Sequence, residues 1–143
     1  MAVSIRAAEP RDAEAIAGLL VQLGYPADTA AIVPRLERLG IVGDTVSVAE
    51  VGGKVVGLAH LQVSPTIESD RPVAKLGALV VDEASRRQGV GRALIAAMKE
   101  EARSRGCGVF FLTTSELRDD AHVFYGQIGL QRTGRRYGTT LSQ

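Results

Sequence analysis

The stretch Arg86-Arg87-Gln88-Gly89-Val90-Gly91 lies between an apolar run, residues 76–81 (Leu-Gly-Ala-Leu-Val-Val), and a segment, residues 90–105, whose Val90, Leu94, Ile95 and Met98 repeat at helical spacing. The run reads as a buried strand and the repeat as an amphipathic helix. Two glycines spaced by one residue at a strand-to-helix turn leave backbone N–H groups uncovered, because no Cβ blocks close approach. The helix N-terminus adds partial positive charge to those donors, so the turn suits a phosphate or pyrophosphate. Arg86, Arg87 and Arg92 add formal positive charge around it.

The spacing excludes two common phosphate loops. A P-loop ends in Gly-Lys-Ser/Thr, which is absent here. A dinucleotide fingerprint needs G-x-G-x-x-G/A, but Gly89-Val90-Gly91-Arg92-Ala93 is followed by Leu94. A nucleotide-phosphate binder is therefore disfavoured.

Outward from the loop, the chain is ordinary in composition. Its 143 residues suffice for a single domain over 1–143. It is 45% hydrophobic and 23% charged, with a formal net charge of +1, so no global field favours nucleic acid or an anionic membrane. No apolar run reaches the roughly 18 residues a membrane helix needs. Arg6, Glu9, Arg11 and Asp12 interrupt any leader-like apolar stretch early. The single cysteine, Cys107, allows no intramolecular disulfide; it fits a reducing cytoplasm and reads as a small packing residue.

Alternation at Val3, Ile5 and Ala7 predicts a first strand. Pro10 and Asp12 open a helix that Gly24 stops, and a second helix covers residues 29–38, which Pro34 should kink or shorten. Residues 45–51 and 54–63 read as a hairpin about Gly52-Gly53, followed by a polar loop over 64–71 and a strand over 73–81. After the helix at 90–105, with Glu101 and Arg105 able to pair and Gly106 capping its end, residues 109–113 are apolar enough for a central strand. A short helix over 120–128 and two closing strands, 130–134 and 137–141, complete the chain.

The pattern Arg86-x-x-Gly89-x-Gly91 resembles the pyrophosphate-binding loop of the GCN5-related N-acetyltransferases, and the order of elements resembles theirs over nearly the whole chain. A second segment, Ala121-x-x-Phe124-Tyr125-x-x-x-Gly129-Leu130, is similar to that family's Ala-x-x-Phe-Tyr-x-x-x-Gly-Phe, with Leu130 in place of the usual Phe. The resemblance implies an α/β (α+β) fold: a central mixed, mostly antiparallel twisted sheet of about seven strands flanked by about four helices. It implies an acetyl-coenzyme A-dependent N-acetyltransferase that moves the acetyl group directly to an amine of a small molecule or peptide, with no metal. A homodimer is common in the family.

The resemblance also assigns residues. Arg86, Arg87, Gln88, Gly89, Val90, Gly91 and Arg92 would hold the pyrophosphate. Leu79, Val80 and Val81 would offer backbone groups to the pantetheine amides, as a strand edge offers them to an added strand. Phe124 would pack in the core or against the pantetheine arm. Tyr125 would be the catalytic acid, protonating the departing thiolate. The acceptor would meet Tyr25, Tyr137 and the loop around Glu68.

The general base stays open. Some relatives carry a Glu in the strand before the glycine loop, where this chain reads Leu76-Gly77-Ala78. Glu68, Asp70, His60 and Glu116 are the remaining candidates; His122 begins a helix, where solvent is the simpler surrounding. A water-held amine would need no dedicated base. The competing reading is a non-catalytic acyl-coenzyme A-binding module that regulates a partner and leaves the thioester intact.

Overall fold

The computed structural model describes residues 2–113, 119–134 and 136–141, with side-chain surroundings omitted for residues 119–122. The chain divides into two compact units, Met1–Leu112 and Thr113–Gln143.

The first unit carries a five-stranded sheet: β1 (Ser4–Ala7), β2 (Thr45–Val51), β3 (Lys54–Thr66), β4 (Ser69–Val81) and β5 (Val109–Leu112), ordered as numbered. The first four strands are antiparallel, and β5 runs parallel to β4. The mixed, mostly antiparallel sheet is as expected. About seven strands are not: among the described residues there are five. Residues 130–134 and 136–141, where described, form no ladder. Tyr137 and Leu141 are 92% and 87% exposed, so this arginine- and glycine-rich stretch buries too little apolar surface to offset the entropy of ordering a strand. Nor is β5 central. Among the described residues it is the sheet's edge, with Val109 half-exposed.

The helices are α1 (Ala13–Leu23), α2 (Thr29–Ile41) and α3 (Val90–Ser104) in the first unit, and α4 (Asp119–Gln127) in the second. A 3-10 turn, Pro10–Asp12, leads into α1. There the Asp12 carboxylate accepts from Arg6 through both oxygens, at 2.7 and 2.8 Å, and from the Glu9 N–H at 2.7 Å. Arg6 also holds Glu50 of β2. α2 runs past Pro34 to Ile41, longer than expected, and buries Ile32 against α1 and the sheet. The expected loop over 64–71 is a tight hairpin turn at Ile67-Glu68, both flanking strands extending to it.

One face of the sheet packs Val48, Leu58 and Val80 against Ile16, Ala17 and Leu19 of α1. The other packs on α3. A Cβ on Gly57 of β3 would meet Leu94 at 2.9 Å, Val90 at 3.1 Å and Ala49 at 3.2 Å, so only glycine lets α3 lie this close. Val90 and Leu94 are buried, which fixes the start of α3 on the sheet. Arg105, at the end of α3, reaches the Thr45 hydroxyl at 3.4 Å; the expected pairing with Glu101 is not among the ion pairs of the described residues.

Candidate active site

The glycine loop joins β4 to α3 as the sequence predicts. A 3-10 turn over Glu83–Ser85 follows β4, and Arg86 is extended. Arg87 then adopts φ +66°, the one described non-glycine residue with positive φ. Gly89 follows at φ +82°, immediately before α3. Left-handed residues in a turn aim successive N–H groups at one side and form an anion-binding concavity. A non-glycine residue held there costs on the order of 1–3 kcal/mol, a strain typical of functional loops. No heavy atom lies within 4 Å of where a Gly89 Cβ would be, so the space in front of it is open. The N–H groups of Val90, Gly91 and Arg92 open the helix and have no acceptor within it.

Side chains around the loop divide by role. Val90 is 1% exposed and serves the core, leaving only its backbone for a ligand. Arg86, Arg87, Gln88 and Arg92 are exposed. Among the described residues no acidic group pairs with these arginines. Arg86 turns back, its Nε donating to the Val81 carbonyl at 3.3 Å. From α1, Gln22 donates to Asp82 at 2.7 Å and accepts from the Glu83 N–H at 2.9 Å, tethering the approach to the loop.

β4 changes character at Gly77. Residues 73–76 pair with 109–112 of β5, and among the described residues the pairing ends there. On the other side His60 pairs with Ala78 and Leu61 with Leu76, so Gly77 is an extra residue, a bulge. Bulges bend a strand and increase its local twist. Residues 78–81, including Leu79, Val80 and Val81, therefore keep β3 as a partner, and residues 77–81 present their other edge unpaired among the described residues.

His60 stands at this bulge. Its Nε2 lies 2.9 Å from Asp44 Oδ2, with side-chain exposures of 17% and 9%. Its Nδ1 would lie 3.2 Å from a Gly77 Cβ, and the Gln62 amide carbon 3.5 Å from it. The sequence reading missed Asp44. The hairpin about Gly52-Gly53 pairs Val46 with His60, which brings the residue two before Val46 diagonally across to the same face. Of the other candidate bases, Glu68 sits in the exposed hairpin turn and Asp70 is exposed in β4. Glu116 and the His122 side chain lie outside the described residues.

In the second unit, Phe124 and Tyr125 of α4 are half-buried, with ring centroids 5.5 Å apart at 57°. Gly129 at φ +88° ends the helix as expected, and the Leu130 N–H donates to the Tyr125 carbonyl at 3.0 Å. Of the expected acceptor contacts, Tyr25 and Tyr137 are 68% and 92% exposed.

A cavity of about 400 Å³ opens in the first unit beside the Gln22–Asp82 tether, lined by Asp12, Gln22, Glu50 and Asp82 among others. There Arg6 pairs with Asp12 and Glu50, so these three charges serve the fold. Among the described residues no group of three or more His, Cys, Asp or Glu is disposed to hold a metal, and no helix is long and apolar enough to cross a membrane.

The chain is 35% identical over 92 residues to rat N-acetyltransferase 8F1, covering 64% of this chain and 42% of that protein. It is 34% identical over 85 residues to the glucosamine 6-phosphate N-acetyltransferase of Trypanosoma brucei brucei, covering 59% and 56%. The alignments thus span about half the length of these curated relatives, or less. A solved acetyltransferase from Trypanosoma brucei superposes with a TM-score of 0.85 at 27% identity, covering 98% of this chain and all of that one. The profile of the Acetyltransferase (GNAT) family matches residues 19–130, an interval that contains the unpaired end of β4, the loop with its two left-handed residues, and the Phe124-Tyr125 segment. On that match the chain belongs to the acetyltransferase (GNAT) family.

Proposed function

We propose that this chain is an acetyl-coenzyme A-dependent N-acetyltransferase acting on an amine of a small molecule or peptide. The observation that carries the reading is the continuity of two backbone surfaces. The edge of β4 over residues 77–81, unpaired among the described residues, leads through the short turn at Glu83–Ser85 to the left-handed residues Arg87 and Gly89. An extended amide-bearing arm fits the first surface by strand addition, and an anionic pyrophosphate fits the second. Neither ATP nor NAD calls for both surfaces together.

Bound there, acetyl-coenzyme A would supply an activated acyl group. Gly89, Val90, Gly91 and Arg92 would bind its phosphates through backbone N–H groups, with the unpaired arginines adding charge. Leu79 and Val81 would orient the arm. Tyr125 would donate the proton that the leaving sulfur takes up. The name of the trypanosomal relative, an acetyltransferase of an amino sugar phosphate, supports a small amine as acceptor. A reducing, cytoplasmic setting belongs to the same reading and is supported by the single, buried Cys107.

Thermal melts with acetyl-coenzyme A, ATP and NAD test the ligand. Acetyl-coenzyme A at 100 times its Kd should stabilise the protein by about 2.7 kcal/mol. No shift at millimolar concentration refutes the assignment. A shift without thiol release from any amine in a broad panel refutes catalysis and favours the binding module.

A further inference from the structure

We infer that His60, oriented by Asp44, is the group that takes the proton from the attacking amine. The inference rests on the acetyltransferase reading above.

An amine attacks a thioester only as the neutral species, and the nitrogen must shed a proton as the C–N bond forms. A base for this step needs a free lone pair near the acyl group and a partner that fixes its tautomer. His60 has both features. The Asp44 carboxylate, 2.9 Å away, accepts from Nε2–H. That leaves the lone pair on Nδ1, the nitrogen facing the gap above Gly77. Asp44 is itself held, its backbone N–H donating to the Leu39 carbonyl at the end of α2 at 2.9 Å. When Nδ1 takes a proton, the imidazolium forms against a carboxylate already in contact.

The position is right for the chemistry. Gly77 is exposed, so the gap is reachable from solvent. It lies four residues up β4 from Val81, about 13 Å of strand. An arm lying along residues 77–81 from a pyrophosphate at Gly89 would bring its acyl end toward the bulge. A side chain at residue 77 would fill the space that the ring faces. Here glycine leaves that space open, and His60 reaches it from the neighbouring strand.

The step balances. The amine nitrogen bonds to the thioester carbonyl carbon, and the C–S bond breaks with its electron pair on sulfur. The proton lost by nitrogen goes to Nδ1 and then to water; sulfur takes one from the donor, assigned above to Tyr125. Around the ring, Asp44 is the carboxylate in contact. Gln62 is the neutral neighbour, and Lys75 of β4 pairs in register with Gln62. Arg105 of α3 reaches Thr45, next to Asp44.

Nitrogen-15 NMR of the imidazole rings tests the geometry without turnover. The neutral His60 ring should carry its proton on Nε2 and none on Nδ1, and Asp44→Asn should disturb that preference. A proton resident on Nδ1 overturns the inference. Kinetics follow on the amine that the wild type turns over fastest in the panel. His60→Gln should lower kcat/KM by about 10²-fold or more and remove the acidic limb of its pH profile, with the calorimetric affinity for acetyl-coenzyme A retained. Asp44→Asn should lower kcat/KM as well, with the affinity for acetyl-coenzyme A retained. A His60→Gln variant with the wild-type profile overturns the inference and leaves the acetyltransferase reading intact. A wild type that binds acetyl-coenzyme A and acetylates no amine overturns both.

Discussion

Substituting Gly89 by alanine separates a glycine kept for its backbone from one kept for a ligand. Gly89 has φ +82°, and a Cβ there would touch nothing within 4 Å. The cost to the free protein is therefore conformational alone, about 1–2 kcal/mol for an L-residue in the left-handed region. A less flexible unfolded chain offsets about 0.4–1 kcal/mol of it. The net loss, near 1 kcal/mol, should lower Tm by about 3–5 °C. Gly24, which ends α1 at φ +100° and also has nothing within 4 Å, is the matched control. Alanine there should cost about as much stability and leave ligand affinity alone. At Gly89 the added methyl would stand where the anion approaches the N–H groups. Losing one charge-assisted hydrogen bond there is worth about 1.5–3 kcal/mol, roughly a 10- to 150-fold weakening. At a concentration 100 times the wild-type Kd, stabilisation by acetyl-coenzyme A should fall from about 2.7 to about 0.3–1.3 kcal/mol. Melts with and without ligand, backed by titration calorimetry, measure both quantities. If Gly89→Ala is destabilised like Gly24→Ala but binds acetyl-coenzyme A with wild-type affinity, the anion does not sit at this turn.

Two further predictions concern other parts of the chain. Tyr125→Phe keeps the ring that lies tilted beside Phe124 and removes only the hydroxyl, so acetyl-coenzyme A affinity should hold while kcat falls by about 10²–10⁴-fold; steady-state kinetics with near-normal kcat would return Tyr125 to a packing role. The Arg6 guanidinium, aided by the Glu9 N–H, holds the Asp12 carboxyl below its ordinary value of 3.8 against the opposing effect of burial. Its contribution to stability is therefore complete above about pH 3.8 and is lost as pH falls through the lower folded value. Urea midpoints measured from pH 5 down to pH 2 should fall more steeply below about pH 3.8 for the wild type than for Asp12→Asn, and curves parallel over that range would contradict the assignment.

Local chemistry made much of the first unit legible. The Gly52-Gly53 turn, the alternation on either side of it, and the caps at Gly24 and Gly106 each act over a few residues, and each lies where the residue pattern indicates. Pro34 was misleading because its cost within a helix was outweighed by packing of the apolar face around Ile32. The hairpin turn at Ile67-Glu68 was hidden because exposed strand ends carry no hydrophobic signal. The two closing strands were expected from short apolar fragments, yet Tyr137 and Leu141 have little to pack against and stay exposed. At the candidate site, the glycine loop could be read because it needs a backbone property that composition reveals. The His60–Asp44 pair could not be read directly, because 16 residues separate its members and a hairpin register joins them. The left-handed Arg87 likewise leaves no mark, since arginine has no preference for that conformation.

The end of β4 that lies unpaired among the described residues also bears on how the protein behaves in solution. An open strand edge is a template for another chain, and proteins usually protect such edges with charge, bends or cover. Here the Gly77 bulge supplies the bend, and Arg86 supplies a charge held on the last carbonyl of the strand. Among the described residues no strand covers it, and a ligand adding itself as a strand would do so. On the proposed reading, acetyl-coenzyme A would shield this edge as well as supply the acyl group. Preparations stripped of it should aggregate sooner on storage, and the first contacts should form edge to edge through residues 77–81.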